Sequence, residues 1–425
     1  MRWSAAAGNA DVHVCFFNRS YWPDQAATGQ LLTELAGDLV ARHGCRVTVV
    51  AGRSLHAAEG HDALRASRWP VQEETHQGVR ILRANGTRFR PRRFAGRAAN
   101  YVSYFASAAI ASLRADRPDV VVSLTDPPII GLAARWTASR LGARFVFLCE
   151  DVFPEVAALL EDFHNPLINR ALDRTNRYLL READAIVALG DCMRDRLVGE
   201  KGADPARTHV IHNWADCEAI VPGDKDNAFT RAHGLGDRFV LMHSGNVGMS
   251  QNLDALVAAA DRLRSVERLA ILIVGEGAKR DALQRDAERR GLSNLRFLGY
   301  QPKGALHESF AAADAFLVSL KAGIEGYIVP SKVYGILAAG RPYIAAVDAA
   351  CEAAVIARSH RCGLPAAPGD PDDLARQIHA LLADPAGAIA MGANARNAAL
   401  QFDRRVAVQA YFDLLTRVAG LARAA

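Results

Sequence analysis

In the stretch IEGYIVPSKVYGILAAGRPYIAA (Ile324–Ala346), Pro330 suits the first turn of a helix and Ser331 can cap it. Lys332 then falls at the positive end of that helix, an arrangement suited to a diphosphate. The plain alternative is a solvated lysine, with Gly340–Arg341–Pro342 merely ending the helix. The particular spacing favours the diphosphate. A second phosphate-like signal is HSGNVGMSQNLDAL, where Gly245, Asn246 and Gly248 lie between a strand-like run and a helical one. Glycines let a backbone approach a ligand, and amides at a helix N-terminus attract phosphate, although an ordinary αβ turn uses the same residues. The next strand-like run ends in GEGAKRDAL, with Gly275 and Gly277. This GxG lacks the third glycine and lies mid-domain, which disfavours NAD. LRFLGYQPKGAL places Gly299 and Tyr300 just past a strand, at the edge where open α/β sheets bind ligands.

In the first half, Asp151 follows the apolar run Arg144–Cys149, the place where α/β enzymes put reactive groups. It can orient a hydroxyl or act as its base; as a turn residue ahead of Pro154 it would do neither. Glu150 is adjacent and in a strand would point the other way, so one of the pair enters a cleft. No resident metal is expected. Asp224–Asp226 lies in a polar joint, Asp370–Asp372 reads as a helix cap, and the 13 histidines form no HxxxH or HxH, so each is treated as surface or packing.

Strand-like runs alternating with helical ones must position these residues. Near-continuous apolar strands point to parallel sheets covered on both faces. The polar segment Val221–Asp237 reads as the joint, and the pattern restarts at Phe239. The fold expected is α/β, two Rossmann-like doubly wound domains facing a cleft, over residues 1–222 and 223–403. Residues 404–425 form an amphipathic helix that packs back on the N-terminal domain. A chain of 425 residues is long enough for two cores, and a net charge of +5 is too mild to suggest nucleic acid. Seven scattered cysteines, no apolar leader and no membrane-length apolar run place the protein in the cytoplasm. From Arg80 to Phe105, arginines and aromatics interleave (Arg80, Arg83, Arg88, Phe89, Arg90, Arg92, Arg93, Phe94, Arg97, Tyr101, Tyr104, Phe105). Such a face suits anionic headgroups, though charge runs are usually just solvated.

The ordered set FNRSYWPDQAATGQLL, EDVFPE, VIHNWAD, HSGNVG, VGEG, FLGY and VPSKVYGILAAGRP resembles glycosyltransferase family 4 nearly end to end. Within that family it is similar to bacterial surface-polysaccharide enzymes of the fucosamine-transferase-like kind. The resemblance implies a GT-B fold, a retaining transfer and a nucleotide-sugar donor, a UDP-sugar by preference, with no tightly bound cofactor. It implies that Gly245, Asn246 and Gly248 border the donor diphosphate, that Lys332 neutralises it, and that Gly275, Gly277, Gly299 and Tyr300 border the nucleoside. Thr28 and Gly29 would form the acceptor-side loop, with Asp151 in the cleft. Phe153 stands where the family usually has Trp, and Gly335 stands where many members keep a ribose-binding glutamate; Glu352 is the substitute considered. The acceptor implied is lipid-linked or a saccharide, met at the cytoplasmic face of a membrane. The rivals are a nucleotide-sugar 2-epimerase, which needs no acceptor, and an inactive nucleotide-binding scaffold.

Overall fold

The computed structural model describes residues 12–24, 26–53, 71–87, 94–159 and 165–423. In the first half it contains β1 (His13–Phe17), α1 (Ala27–His43), β2 (Arg46–Gly52), β3 (Val71–His76), β4 (Val79–Ala84), α2 (Phe94–Ser112), β5 (Val120–Ser123), α3 (Ile130–Leu141), β6 (Arg144–Cys149), α4 (Glu155–Leu159), α5 (Pro166–Glu182), β7 (Ala185–Ala188), α6 (Asp191–Gly199) and β8 (Thr208–Val210). These strands form one sheet in the order β3-β4-β2-β1-β5-β6-β7-β8. Every pairing is parallel except that of β3 with β4. The sequence reading missed β3, because VQEETH places two adjacent glutamates in a polar run with a single apolar residue. Its glutamates pair across the strands instead, Glu73 with Arg80 and Glu74 with Arg83.

The second half holds α7 (Ala228–His233), β9 (Phe239–Ser244), α8 (Asp254–Arg262), β10 (Leu269–Val274), α9 (Arg280–Arg289), β11 (Leu295–Leu298), α10 (Leu306–Ala311), β12 (Ala315–Ser319), α11 (Lys332–Ala338), β13 (Tyr343–Ala346), α12 (Glu352–Ser359), β14 (Gly363–Ala366), α13 (Pro371–Ala383), α14 (Pro385–Ala399) and α15 (Arg404–Arg423). Its parallel sheet runs β11-β10-β9-β12-β13-β14. Alternate residues of one strand enter different cores: Val240 and Met242 of β9 join one cluster, and Leu241 joins the other. That is the signature of a sheet covered on both faces.

Val221–Asp237 is not a free linker. Asn227 caps α7 by accepting from Thr230 N at 3.0 Å and donates to Glu308 O at 3.0 Å, tying the segment to α10. Polar residues here serve turns and caps, which is why their composition looked like a joint. The crossing between halves lies elsewhere. Ala215 bridges Asp403, and Arg404 N donates to Ala215 O at 2.9 Å. Helix α15 then lays Val408, Tyr411, Leu414, Leu415 and Val418 into the N-terminal core. Burial of each such side chain contributes about 1.5–3 kcal/mol. All seven cysteines are free and six are buried, so they pack as small hydrophobes.

Candidate active site

Lys332 opens α11 and is half-buried, its Nζ 3.2 Å from His243 Nε2. Gly245 lies beside it: a Cβ there would sit 3.7 Å from Nζ. Gly245 and Asn246 are exposed, so the ammonium overhangs an open backbone turn. Burial pushes the Lys332 amine down to about 7, because an ammonium withdrawn from water is disfavoured. Among the described residues no carboxylate pairs with it. His243 is fully buried and driven well below the ordinary imidazole range, by burial first and by the Lys332 charge second. Two local expectations fail here. Pro330 precedes the helix rather than entering its first turn, and Ser331 holds the N-cap position without a side-chain cap bond.

The glycines act first on each other. A Cβ on Gly275 would overlap the Gly245 carbonyl, and one on Gly277 would overlap the Val247 carbonyl; both residues have φ above +130°. The two loops therefore run backbone to backbone, joined by Val247 N to Glu276 O at 2.9 Å. The Gly248 amide is not free for phosphate, since Gln251 Oε1 accepts it at 2.9 Å. Gly299 and Tyr300 are exposed past the edge strand β11, beside Glu276. At Gly335 a Cβ would meet the Phe310 ring at 3.3 Å, so the apolar ring stands where a longer side chain would have to pass.

Glu352 does not serve as the expected replacement. It is buried, and its Oε1 accepts the Cys192 amide at 3.2 Å, at the N-terminus of α6. Its carboxylate thus ties α12 to the N-terminal domain. On the same side, Arg196 pairs with Glu325, and the Tyr327 hydroxyl donates to Glu200 at 2.7 Å. Val152 N donates to Tyr327 O at 3.0 Å, and Asp151 bridges Ile328. The loop leading into Lys332 is therefore pinned to the strand end that carries Asp151.

Asp151 is half-buried and its carboxyl is pushed up to about 7, by burial first and by the neighbouring Asp126 charge second. Asp126 follows β5 as Asp151 follows β6, and it forms an ion pair with Arg19 at 3.2 Å. The Arg19 guanidinium lies 5.0 Å over the Tyr101 ring. Glu150 is raised to about 8 and lies near Tyr411 of α15, whose ionisation it opposes. Gly29 is buried against Ser20, where a Cβ would come within 2.7 Å of its Oγ. It allows α1 to approach the loop that carries Ser20; Thr28 beside it is half-buried. Sequence reasoning missed Arg19, Asp126 and His243. The signal available for Arg19 and Asp126 was the one used for Asp151, a charged residue just past the carboxyl end of a parallel strand.

Among the described residues of the basic and aromatic run, Arg83 and Tyr104 turn inward and Arg80, Tyr101 and Phe105 are half-buried. Arg83 is buried against Glu74, Arg80 pairs with Glu73 and Asp116, and Tyr104 is buried. Residues 88–93 and the side chains of Phe94 and Arg97 lie outside the described residues, and among the described side chains of α2 the outward ones are Val102, Ala106 and Ile110. Both Asp pairs are engaged locally: Asp224 accepts from Asp226 N at 2.9 Å, and Asp370 caps α13.

Residues 25–214 match the family described as Glycosyl transferase 4-like domain, and residues 225–398 match Glycosyl transferases group 1. The chain belongs to this glycosyl transferase family. It is 32% identical over 269 residues to "Probable glycosyltransferase WbjE" of Pseudomonas aeruginosa, covering 62% of this chain and 66% of that one. It is 27% identical over 247 residues to "Putative colanic acid biosynthesis glycosyl transferase WcaI" of Escherichia coli strain K12, covering 56% and 59%. The matches thus span somewhat under two thirds of each relative. Among solved structures, Anabaena HepE in complex with UDP-glucose superposes with a TM-score of 0.72 at 16% identity, over 95% of this chain and 99% of that one. Sucrose-phosphate synthase from Thermosynechococcus elongatus reaches a TM-score of 0.75 at 16% identity, over 96% and 100%. These likenesses establish the GT-B fold of this family member.

Proposed function

We propose that the protein transfers a sugar from a nucleotide-diphosphate sugar, a UDP-sugar by preference, to a lipid-linked or saccharide acceptor in surface-polysaccharide assembly. The observation that carries this reading is Lys332, held over the exposed Gly245–Asn246 turn by a loop docked on the Asp151 strand end. The names of WbjE, WcaI and the UDP-glucose complex of HepE support the donor and product class.

The donor diphosphate lies along Gly245 and Asn246, where Lys332 offsets the charge that grows as the sugar–phosphate bond breaks. The bonding pair leaves with the nucleoside diphosphate. Gly299 and Tyr300 border the nucleoside, with Phe310 beneath Gly335 as an apolar wall. Asp151 orients the acceptor hydroxyl and takes its proton as the oxygen bonds the anomeric carbon. Retention at that carbon, which the family resemblance implies, requires the acceptor oxygen to enter on the face that the diphosphate leaves. No metal is assigned, because Lys332 supplies positive charge and the two Asp pairs are engaged in turns, caps and ion pairs. The protein works at the cytoplasmic face of a membrane, resting on the outward face of α2.

The test supplies UDP-sugars with and without a polyprenyl-diphosphate saccharide and follows both UDP and the extended product. Acceptor-dependent release with matching product supports transfer; conversion of donor without acceptor supports an epimerase and removes this reading.

A further inference from the structure

His243 lies beneath the site and has no role in the transfer as described. Its Nε2 stands 3.2 Å from Lys332 Nζ and 3.3 Å from the Asn246 carbonyl oxygen. A single ring nitrogen cannot serve both contacts in the same state. As an N–H it donates to Asn246; as a bare nitrogen it accepts from an ammonium. With the hydrogen on Asn246, the lysine beside it is a neutral amine. With an ammonium on Nε2, the bond to Asn246 is given up. Among the described residues, His243 from β9 is the titratable group facing Lys332, the Gly245–Gly248 turn brings backbone alone, and β12 faces His243 with the Leu317 backbone.

We propose that His243 is a positioning residue that couples the charge of Lys332 to the arrival of a nucleoside diphosphate. While the site is free it bonds Asn246 and leaves the amine, which burial keeps neutral, without a partner above the turn. The diphosphate then draws the amine away as an ammonium, with uptake of one proton from solvent. This rests on the donor-site reading above. The sign follows from linkage: the complex holds more protons than the free protein, so affinity falls as pH rises. The free amine titrates at about 7, so the fall begins near there and continues at about tenfold per pH unit.

Isothermal calorimetry on the full chain, with the tightest binder among UDP, GDP, ADP and TDP, tests this between about pH 7.5 and 9.5 in two buffers of different ionisation enthalpy. Wild type should take up on the order of one proton at about pH 8.5. His243→Phe fills the space but offers the amine no polar partner, so the pH at which affinity starts to fall moves lower. His243→Gln can donate to Asn246 and accept from Nζ together. The free lysine then keeps its charge to higher pH, and proton uptake shrinks. Melting curves verify that each variant is folded. Opposite shifts in the two variants support the coupling. Nucleotide binding without proton uptake, or a pH midpoint that neither variant moves, overturns the coupling and leaves the donor site standing. Failure of all four nucleoside diphosphates to bind overturns both.

Discussion

Asp151 and Lys332 are brought toward neutrality from opposite directions by one cause, burial. As a base Asp151 must be ionised, so kcat/KM rises with pH through about 7; as a charge partner Lys332 must be protonated, so it falls again above about 7. A narrow bell is therefore expected in a pH–rate profile. Asp126→Asn removes the negative neighbour that helps raise Asp151, and should move the acid limb to lower pH. Asp151→Asn should lower kcat by about 10²–10⁴-fold with nucleotide affinity retained, in steady-state assays paired with calorimetry. Lys332 and Asp151 were legible because each falls at a sequence position with one physical use, a helix start or a strand end. His243 was not legible, since a histidine in an apolar strand reads as packing until its neighbour is known. Glu352 misled for the opposite reason. A carboxylate at a helix start is free to serve a ligand in sequence, and only the fold shows it capping another helix.

At the scale of elements, the donor turn depends on two loops that touch through missing side chains. Gly275→Ala would set a methyl on the Gly245 carbonyl at a φ of +135°. It should cost about 1–3 kcal/mol in urea denaturation and weaken nucleotide binding more than a surface change of equal cost. The alternation of strand and helix was readable from apolar runs, because parallel strands buried on both faces are almost uninterrupted. β3 and β14 were not readable. The first is an edge strand whose adjacent glutamates look like loop, and the second, Gly363–Ala366, contains Gly and Pro at the sheet margin. Helix α14 carries its alanines without a clear stripe, so periodicity gave no signal.

For the molecule as a whole, the halves meet where the chain crosses twice, at 214–217 and 402–404. Arg404 forms a bidentate pair with Asp38 at 2.7 Å, and Trp214 Nε1 donates to Glu34 at 2.9 Å. Arg404→Ala would leave the largely buried Asp38 short of its main partner, and stability should drop by about 1–3 kcal/mol. Among the described residues no helix is long and apolar enough to cross a membrane. The outward α2 residues Val102 and Ile110, with Leu113 and Trp136 nearby, are each at least 46% exposed. Val102→Glu with Ile110→Glu should reduce co-sedimentation with anionic vesicles while leaving nucleotide binding unchanged.

The central claim is that the C-terminal half binds a nucleoside diphosphate under Lys332. Its most direct test is a thermal-shift panel of UDP, GDP, ADP, TDP and NAD on wild type and Lys332→Ala. Ligand at a hundredfold excess over Kd adds about 2.7 kcal/mol to the native state. A rise of a few degrees with one nucleoside diphosphate, UDP by expectation, that disappears in a folded Lys332→Ala is the result predicted. A shift with NAD alone, no shift in a well-folded wild type, or a shift that survives Lys332→Ala would contradict it.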